Sequence, residues 1–246
     1  MMSSFEPFFF GKDHDLFGIY HPSSGPKKDH SVVVAPPLLN EYMRSHLALR
    51  QISSRLAQSG IDVLRFDYAG TGNSLGHING VSVDQWSSNV FEAASEVREI
   101  TGNTRTSILA VRFAANLAAD YARIHPTQQF VMWDPVFGGE AWLNSLLRSQ
   151  AKLLRQHGSS VIDQSCEFSG QKLSGSFVDE LRSRPTSTIH SSKSFAVVTD
   201  SFDQTDFLIA SKIEHKRINF HCGWEDLTSQ VLYAHEVVDS VCQAVI

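Results

Sequence analysis

Short β-branched runs alternate with amphipathic segments over most of this chain, and that alternation restricts its architecture more than any other feature. DLFGIYH (15–21) and SVVVA (31–35) read as strands. Residues 42–58 then carry a helical apolar pattern of Leu47, Leu49, Ile52 and Leu56, closed by Gly60. IDVLRFDYAG (61–70) is the next strand, followed by the loop GTGNSLG. A helix from Trp86 to Ile100 places Trp86, Val90, Ala93, Ala94 and Val97 on one stripe. TSILAV leads into a helix from about Ala114 to Ile124, and QQFVMWD (128–134) is another strand. This order predicts parallel βαβ units in a doubly wound sheet, an α/β fold.

Beyond Pro135 the pattern changes. Residues 141–157 read as a helix of mixed polarity, and 158–192 are rich in Ser, Gly and Arg. The stretch of about 138–193 is therefore expected as a cap inserted into a single domain over 1–246. SFAVVTD (194–200) and RINFHC (217–222) are the expected last strands, and 226–245 the closing helix.

Composition narrows the function classes. A chain of 246 residues, 42% apolar and 19% charged, can bury one large core. Its net charge of −5 gives no general attraction to nucleic acid or to anionic membrane. MMSSFEPFFFGKDHD has no basic n-region and no long apolar run, so neither a signal peptide nor a membrane span is expected. Three widely spaced cysteines (Cys166, Cys222 and Cys242) suit a reducing cytoplasm, and the absence of CxxC argues against zinc. GTGNSLG lacks the Lys-Ser/Thr of a P-loop and the GxGxxG spacing, so no nucleotide cofactor is expected.

The stretch VVVAPPLLNEYMRSHLALRQISSRLAQSGIDVLRFDYAGTGNSLG (32–76) resembles the front half of an α/β-hydrolase of the serine aminopeptidase and monoacylglycerol lipase type. The Asp-x-x-Gly-x-Gly-x-Ser loop of those enzymes is matched by Asp67, Gly70, Gly72 and Ser74. The chain is also similar to the exosortase A system-associated "hydrolase 2" family, whose members carry Pro-Pro in place of His-Gly and an arginine at the nucleophile elbow. Pro36-Pro37, Glu41, Arg44-Ser45 and Ala110-Val111-Arg112-Phe113-Ala114-Ala115 match that layout over roughly residues 8–185, with alanines replacing glycines. The leader FFFGKDHDLFGIYHP and the strand end WDPV fit it too. The resemblance implies an α/β-hydrolase fold and an elbow at AVRFA, and it brings no demonstrated reaction.

An elbow needs small residues two positions either side of its tip, which Ala110 and Ala114 supply. Arg112, at the tip, has no lone pair to attack with and stays protonated, so no acyl-serine can form there. Two readings of it stand side by side. It clamps an anionic substrate by paired N–H bonds, or it forms a fixed ion pair with a nearby aspartate such as Asp134. Against the family pattern, Asp203 fits the slot of the triad acid, while His221 lies early, and the expected histidine slot holds Trp224 or Glu225. The backbone N–H groups of Phe113 and Leu38 fit an oxyanion hole. Asp134 is a candidate base, and the resemblance implies that Glu41 and Arg44 brace the loop over the pocket. His46 reads as a surface histidine, and a Cys222–His221 thiol pair is discounted because neighbours on a strand face opposite ways.

Two functions follow as expectations. In the first, the protein binds or transforms an anionic acyl or carboxylate small molecule, with Arg112 as anchor, Phe113 and Leu38 as carbonyl donors, and Asp203 or Asp134 activating water. In the second, it is an inactive pseudo-hydrolase acting as a binding or scaffold subunit in a biosynthetic or exopolysaccharide-related pathway, its partner a second copy or a pathway protein.

Overall fold

The segment SVVVA is apolar without alternation because both of its faces are covered. In the computed structural model, Val32 and Val34 pack toward one helical layer and Val33 and Ala35 toward the other, all fully buried. The structure describes residues 5–246 except 126, 157, 159–166, 169–170, 187–188, 190–192, 201 and 227–231. Its strands are β1 (Glu6–Phe10), β2 (Leu16–His21), β3 (Ser31–Ala35), β4 (Asp62–Phe66), β5 (Thr106–Val111), β6 (Phe130–Trp133), the short hairpin β7 (Glu167–Phe168) and β8 (Gln171–Lys172), β9 (Ser194–Val198) and β10 (Glu214–Arg217). Its helices are α1 (Asn40–Gln58), α2 (Val83–Thr101), α3 (Ala114–Ile124), α4 (Gly139–Gln156), α5 (Gly175–Ser183), α6 (Thr205–Ala210) and α7 (His235–Val245).

Eight strands form one sheet in the order β1-β2-β4-β3-β5-β6-β9-β10. From β4 to β10 the neighbours are parallel, while β2 runs antiparallel to both β1 and β4. Helices α1 and α7 cover one face through Leu49, Ile52, Leu56, Val237, Val238 and Val241. On the other face lie α2 and α3, and α4 and α5, between β6 and β9, join the same core through Trp142, Leu143, Phe177 and Leu181. Because β4 and β5 flank β3 on opposite sides, the chain leaves β3 in one direction and returns in the other. That reversal opens a crevice at the carboxyl ends of the strands.

Local chemistry explains the joints. Ser82 caps α2, its hydroxyl accepting from the Gln85 N–H at 3.0 Å. Gly60 ends α1 at φ +87°, where a side chain would collide with the Pro26 carbonyl. The end of α5 is fastened to the start of α2. Glu180 on α5 accepts from the N–H groups of Val83 and Asp84, both at 3.0 Å, where the α2 dipole favours a carboxylate. Arg184 just beyond α5 reaches Asp84 and Ser87 at 2.8 Å each.

Several elements differ from expectation. β1 was not foreseen in the Phe-rich leader, although its residues pair in register with β2. The last strand is Glu214–Arg217, not RINFHC. As an edge strand it has one neighbour and mostly exposed side chains, so it lacks the apolar signature sought there. Beyond β10, the Ile218 N–H still donates to the Val198 carbonyl at 2.8 Å and the Phe220 carbonyl accepts from Asp200 at 3.0 Å, and Cys222 then reaches Arg44. Helix α6 was missed, and α7 begins at His235 rather than near 226. Part of the Ser- and Gly-rich stretch, residues 159–166 with Cys166 among them, lies outside the described residues, while α5 and the strands β7 and β8 give other parts of it regular structure.

Candidate functional site

Strand β5 ends in a sharp turn into α3, and Arg112 occupies its tip at φ +56°. For a residue with a side chain that conformation costs on the order of 1–3 kcal/mol. The turn is held by the Arg112 N–H donating to the Trp133 carbonyl at 3.0 Å, and by the Arg112 carbonyl accepting from Ala115 and Val136 at 3.1 and 3.0 Å. Ala110 and Ala114 on either side are fully buried. Two neighbouring strand ends share the strain, with Leu39 at φ 56° beyond β3 and Asp134 at φ 41° after β6.

The Arg112 side chain turns inward and is 6% exposed. Its Nε donates to Glu41 Oε1 at 2.8 Å, its Nη1 donates to the Asp134 backbone carbonyl at 3.1 Å, and the guanidinium lies 5.2 Å from the Trp224 ring centre. Trp142 Nε1 donates to the other Glu41 oxygen at 3.3 Å, and its ring stacks on Phe113 at 4.7 Å and 6°. Burial opposes the charge on Arg112. The adjacent Glu41, with Asp134 and Asp203 behind it, outweighs that and holds the guanidinium above its ordinary pKa. The ion-pair partner is thus Glu41, 71 positions away, and not the aspartate considered from sequence.

Asp134 is fully buried with its carboxylate already engaged. Oδ1 accepts from the Thr199 N–H at 2.7 Å, and Oδ2 from the Thr199 hydroxyl at 2.6 Å and Trp224 Nε1 at 2.7 Å. Three donors occupy most of its acceptor positions, and burial keeps it from bulk water. Arg44, on α1, donates to the carbonyls of Cys222 at 2.8 Å and Asp226 at 3.0 Å, tying the loop after β10 to α1. Burial, then the nearby Asp134, push the Cys222 thiol up, away from thiolate.

Asp203 and His221 border a cleft of about 200 Å³ that also touches Arg112, Arg148, Lys152, Trp224 and Asp226. Their side chains are 75% and 71% exposed. Asp203 lies 3.8 Å from Arg148 Nη2, and His221 Nε2 lies 3.9 Å from Asp226 Oδ2. Arg112, Asp203 and His221 therefore border one cleft, with Asp203 facing Arg148 of α4, His221 facing Asp226, and Arg112 paired to Glu41 of α1. Of the two expected backbone donors, Phe113 lies buried under Trp142, whereas Leu38 borders a different cleft. His46 is exposed, with Nδ1 2.7 Å from the Met43 carbonyl.

That second cleft, about 560 Å³, lies between Pro36–Met43, the loop after β4 and the β7–β8 hairpin. Sequence reasoning missed it, as it missed Trp142, Thr199, Arg148 and Lys152. The only available signals were the i, i+4 basic pair on α4 and the position of Thr199 just after a strand. Among the described residues, no group of three His, Cys, Asp or Glu could hold a metal, and no helix is long and apolar enough to cross a membrane.

No family model matches the chain, and no curated protein matches it. Solved structures do. An α/β serine hydrolase without lid from Xanthomonas campestris aligns with TM-score 0.62 and 13% identity over 100% of this chain and 95% of that one. Alpha/beta hydrolase domain-containing protein 10 from mouse gives 0.61 and 15% over 97% of each chain. Est1E from Butyrivibrio proteoclasticus, solved with ferulic acid bound, gives 0.63 and 13% over 96% of each. Together with the eight-stranded, mostly parallel sheet between two helical layers, these likenesses give the chain the α/β-hydrolase fold.

Proposed function

We propose that this protein binds a small acyl or carboxylate molecule without forming an acyl-enzyme, and works as a binding or scaffold subunit in a biosynthetic pathway. The observation that carries the reading is the Arg112–Glu41 pair at 2.8 Å beneath Trp142 and Trp224. A guanidinium stands where serine hydrolases of this fold hold their nucleophile, and its charge is balanced within the protein. Asp134 is buried among three donors, Asp203 and His221 face Arg148 and Asp226 at 3.8 and 3.9 Å, and Arg112 offers no lone pair, which supports a role without turnover. The exosortase-associated resemblance points to the same pathway role by analogy.

Two measurements test this. A fluorophosphonate probe should leave the protein unlabelled, and simple esters, thioesters and amides should persist in its presence. Serine labelling, or turnover that disappears in Arg112→Ala, would defeat the reading.

One observation favours a second reading in which Arg112 anchors an anion. Its Nη2 makes no hydrogen bond to the described residues, and Arg112 borders the 200 Å³ cleft beside Arg148 and Lys152. In that case acetate or a short acyl thioester should bind, and the affinity should fall in Arg112→Ala. Binding indifferent to Arg112 removes this second reading.

A further inference from the structure

The smaller cleft, beside Arg112, carries charge of both signs. Arg112, Arg148 and Lys152 line it, and so do the carboxylates of Asp203, Glu225 and Asp226. Glu41 neutralises Arg112 from behind at 2.8 Å, so an anion entering alone meets a wall with no surplus of positive charge. The rim is already paired. Arg148 Nε donates to Glu225 at 2.6 Å and Lys152 Nζ donates to Asp226, joining α4 to the 222–226 loop.

Two groups of opposite sign are less engaged. Arg112 Nη2 makes no hydrogen bond to the described residues, and it is not sealed from water. Asp203 makes no hydrogen bond to the described residues either, and its ion-pair contact with Arg148 Nη2 is 3.8 Å long. The two charges feel each other, since Asp203 helps to hold the Arg112 pKa up, yet no ion pair joins them. Arg112 is also held in place, by Glu41 on Nε and the Asp134 carbonyl on Nη1, so a carboxylate accepting from Nη2 meets a donor that is already oriented. A volume of about 200 Å³ is room for roughly seven waters at about 30 Å³ each, which limits a ligand to a similar number of non-hydrogen atoms.

We propose that this cleft binds a small zwitterion, with its carboxylate on Arg112 Nη2, its ammonium on Asp203, and the short chain between them beside Trp224. The proposal rests on the anchoring role of Arg112 stated above, and it names the class of ligand: a molecule with both charges suits a wall that offers both, where a simple anion does not.

Calorimetric titration of the full chain with three probes of equal size tests it. 4-Aminobutyrate carries both charges, pentanoate replaces the ammonium by a methyl group, and 4-aminobutyramide replaces the carboxylate by a neutral amide. 4-Aminobutyrate should bind tightest, each of the others being weaker by about fivefold or more. Asp203→Asn should abolish the gap to pentanoate, and because that side chain is 75% exposed the variant should melt with the parent. Arg112→Met with Glu41→Leu removes both members of the buried pair, leaving no lone charge, and should abolish the gap to 4-aminobutyramide. Should that paired variant fail to fold, Asp203→Asn alone still decides the test. A gap to pentanoate that survives Asp203→Asn overturns the proposal. Pentanoate bound as tightly as 4-aminobutyrate, with both weakened in the paired variant, overturns the zwitterion and leaves the anchoring role standing. Binding that the paired variant does not weaken, or no binding at millimolar concentration, overturns the anchoring role and the proposal with it.

Discussion

Around Arg112 the polar groups face one another: Glu41 holds the guanidinium, Trp142 holds Glu41, and Thr199 and Trp224 hold Asp134. One strand away, beyond Pro36 and Pro37, the larger cleft has the exposed Lys172 at its rim, and the buried Tyr68 hydroxyl beneath it has no hydrogen-bond partner among the described residues. Both regions sit at the carboxyl end of the same sheet, on adjacent strands β3 and β5. The fold makes each a natural place for a ligand, so the difference comes from side chains. Complementary groups within reach of one another close a site from inside, and groups without internal partners keep it available.

The largest effect should come from splitting the elbow pair. Arg112→Ala leaves Glu41 charged and buried, and should cost about 3–5 kcal/mol in urea-unfolding free energy. Replacing both partners by apolar residues, Arg112→Met with Glu41→Leu, should recover much of that loss. If Arg112→Ala instead unfolds at the parental midpoint, the elbow is not closed by this pair and the contrast between the regions collapses.

Acid should strike the opposite end of the sheet and spare the contrast. His21 is buried at the end of β2, and His30, just before β3, has Nε2 2.7 Å from the Ser107 hydroxyl. Burial, then Arg65 and Arg50, lower His21 to about 4; burial, then Arg105 and Lys28, lower His30 to about 4. The unfolded chain, with histidines near 6.5, binds the protons first. Their contribution is therefore complete above pH 6.5 and declines as pH falls toward 4, by roughly 2 kcal/mol per histidine at pH 5. Unfolding curves from pH 7 to 5 should show the decline, and His30→Gln should flatten it. A flat parental profile would exclude burial of neutral histidines.

A smaller effect of opposite sign is expected in the open cleft. Tyr68→Phe should raise stability by about 1 kcal/mol, read as a higher unfolding midpoint, because it removes an unpaired buried hydroxyl. Destabilisation would mean that the phenol has a partner and that the cleft is as self-satisfied as the elbow. The smallest change belongs to the exposed pair Arg148–Glu225 at 2.6 Å, where Arg148→Ala should shift stability by less than about 1 kcal/mol. A larger loss would make that ion pair part of the closure around Arg112.

Sequence determined what is local here. The apolar period placed α2 and α3 within a few residues, the non-alternating SVVVA marked a strand covered on both faces, and the small residues around Arg112 located the turn. Edge elements were less legible, since β1 and β10 have one neighbour each and neither alternates apolar with polar residues, β1 ending in three phenylalanines and β10 being polar throughout. Chain chemistry alone also settled that the turn carries a cation with no lone pair. Which group that cation meets was decided by tertiary structure. Glu41 reaches Arg112 because β3 and β5 pair side by side, bringing the start of α1 against the start of α3, and Trp142 arrives from α4. Periodicity records the face a residue turns inward, whereas the partner it finds there depends on the order in which the strands assemble.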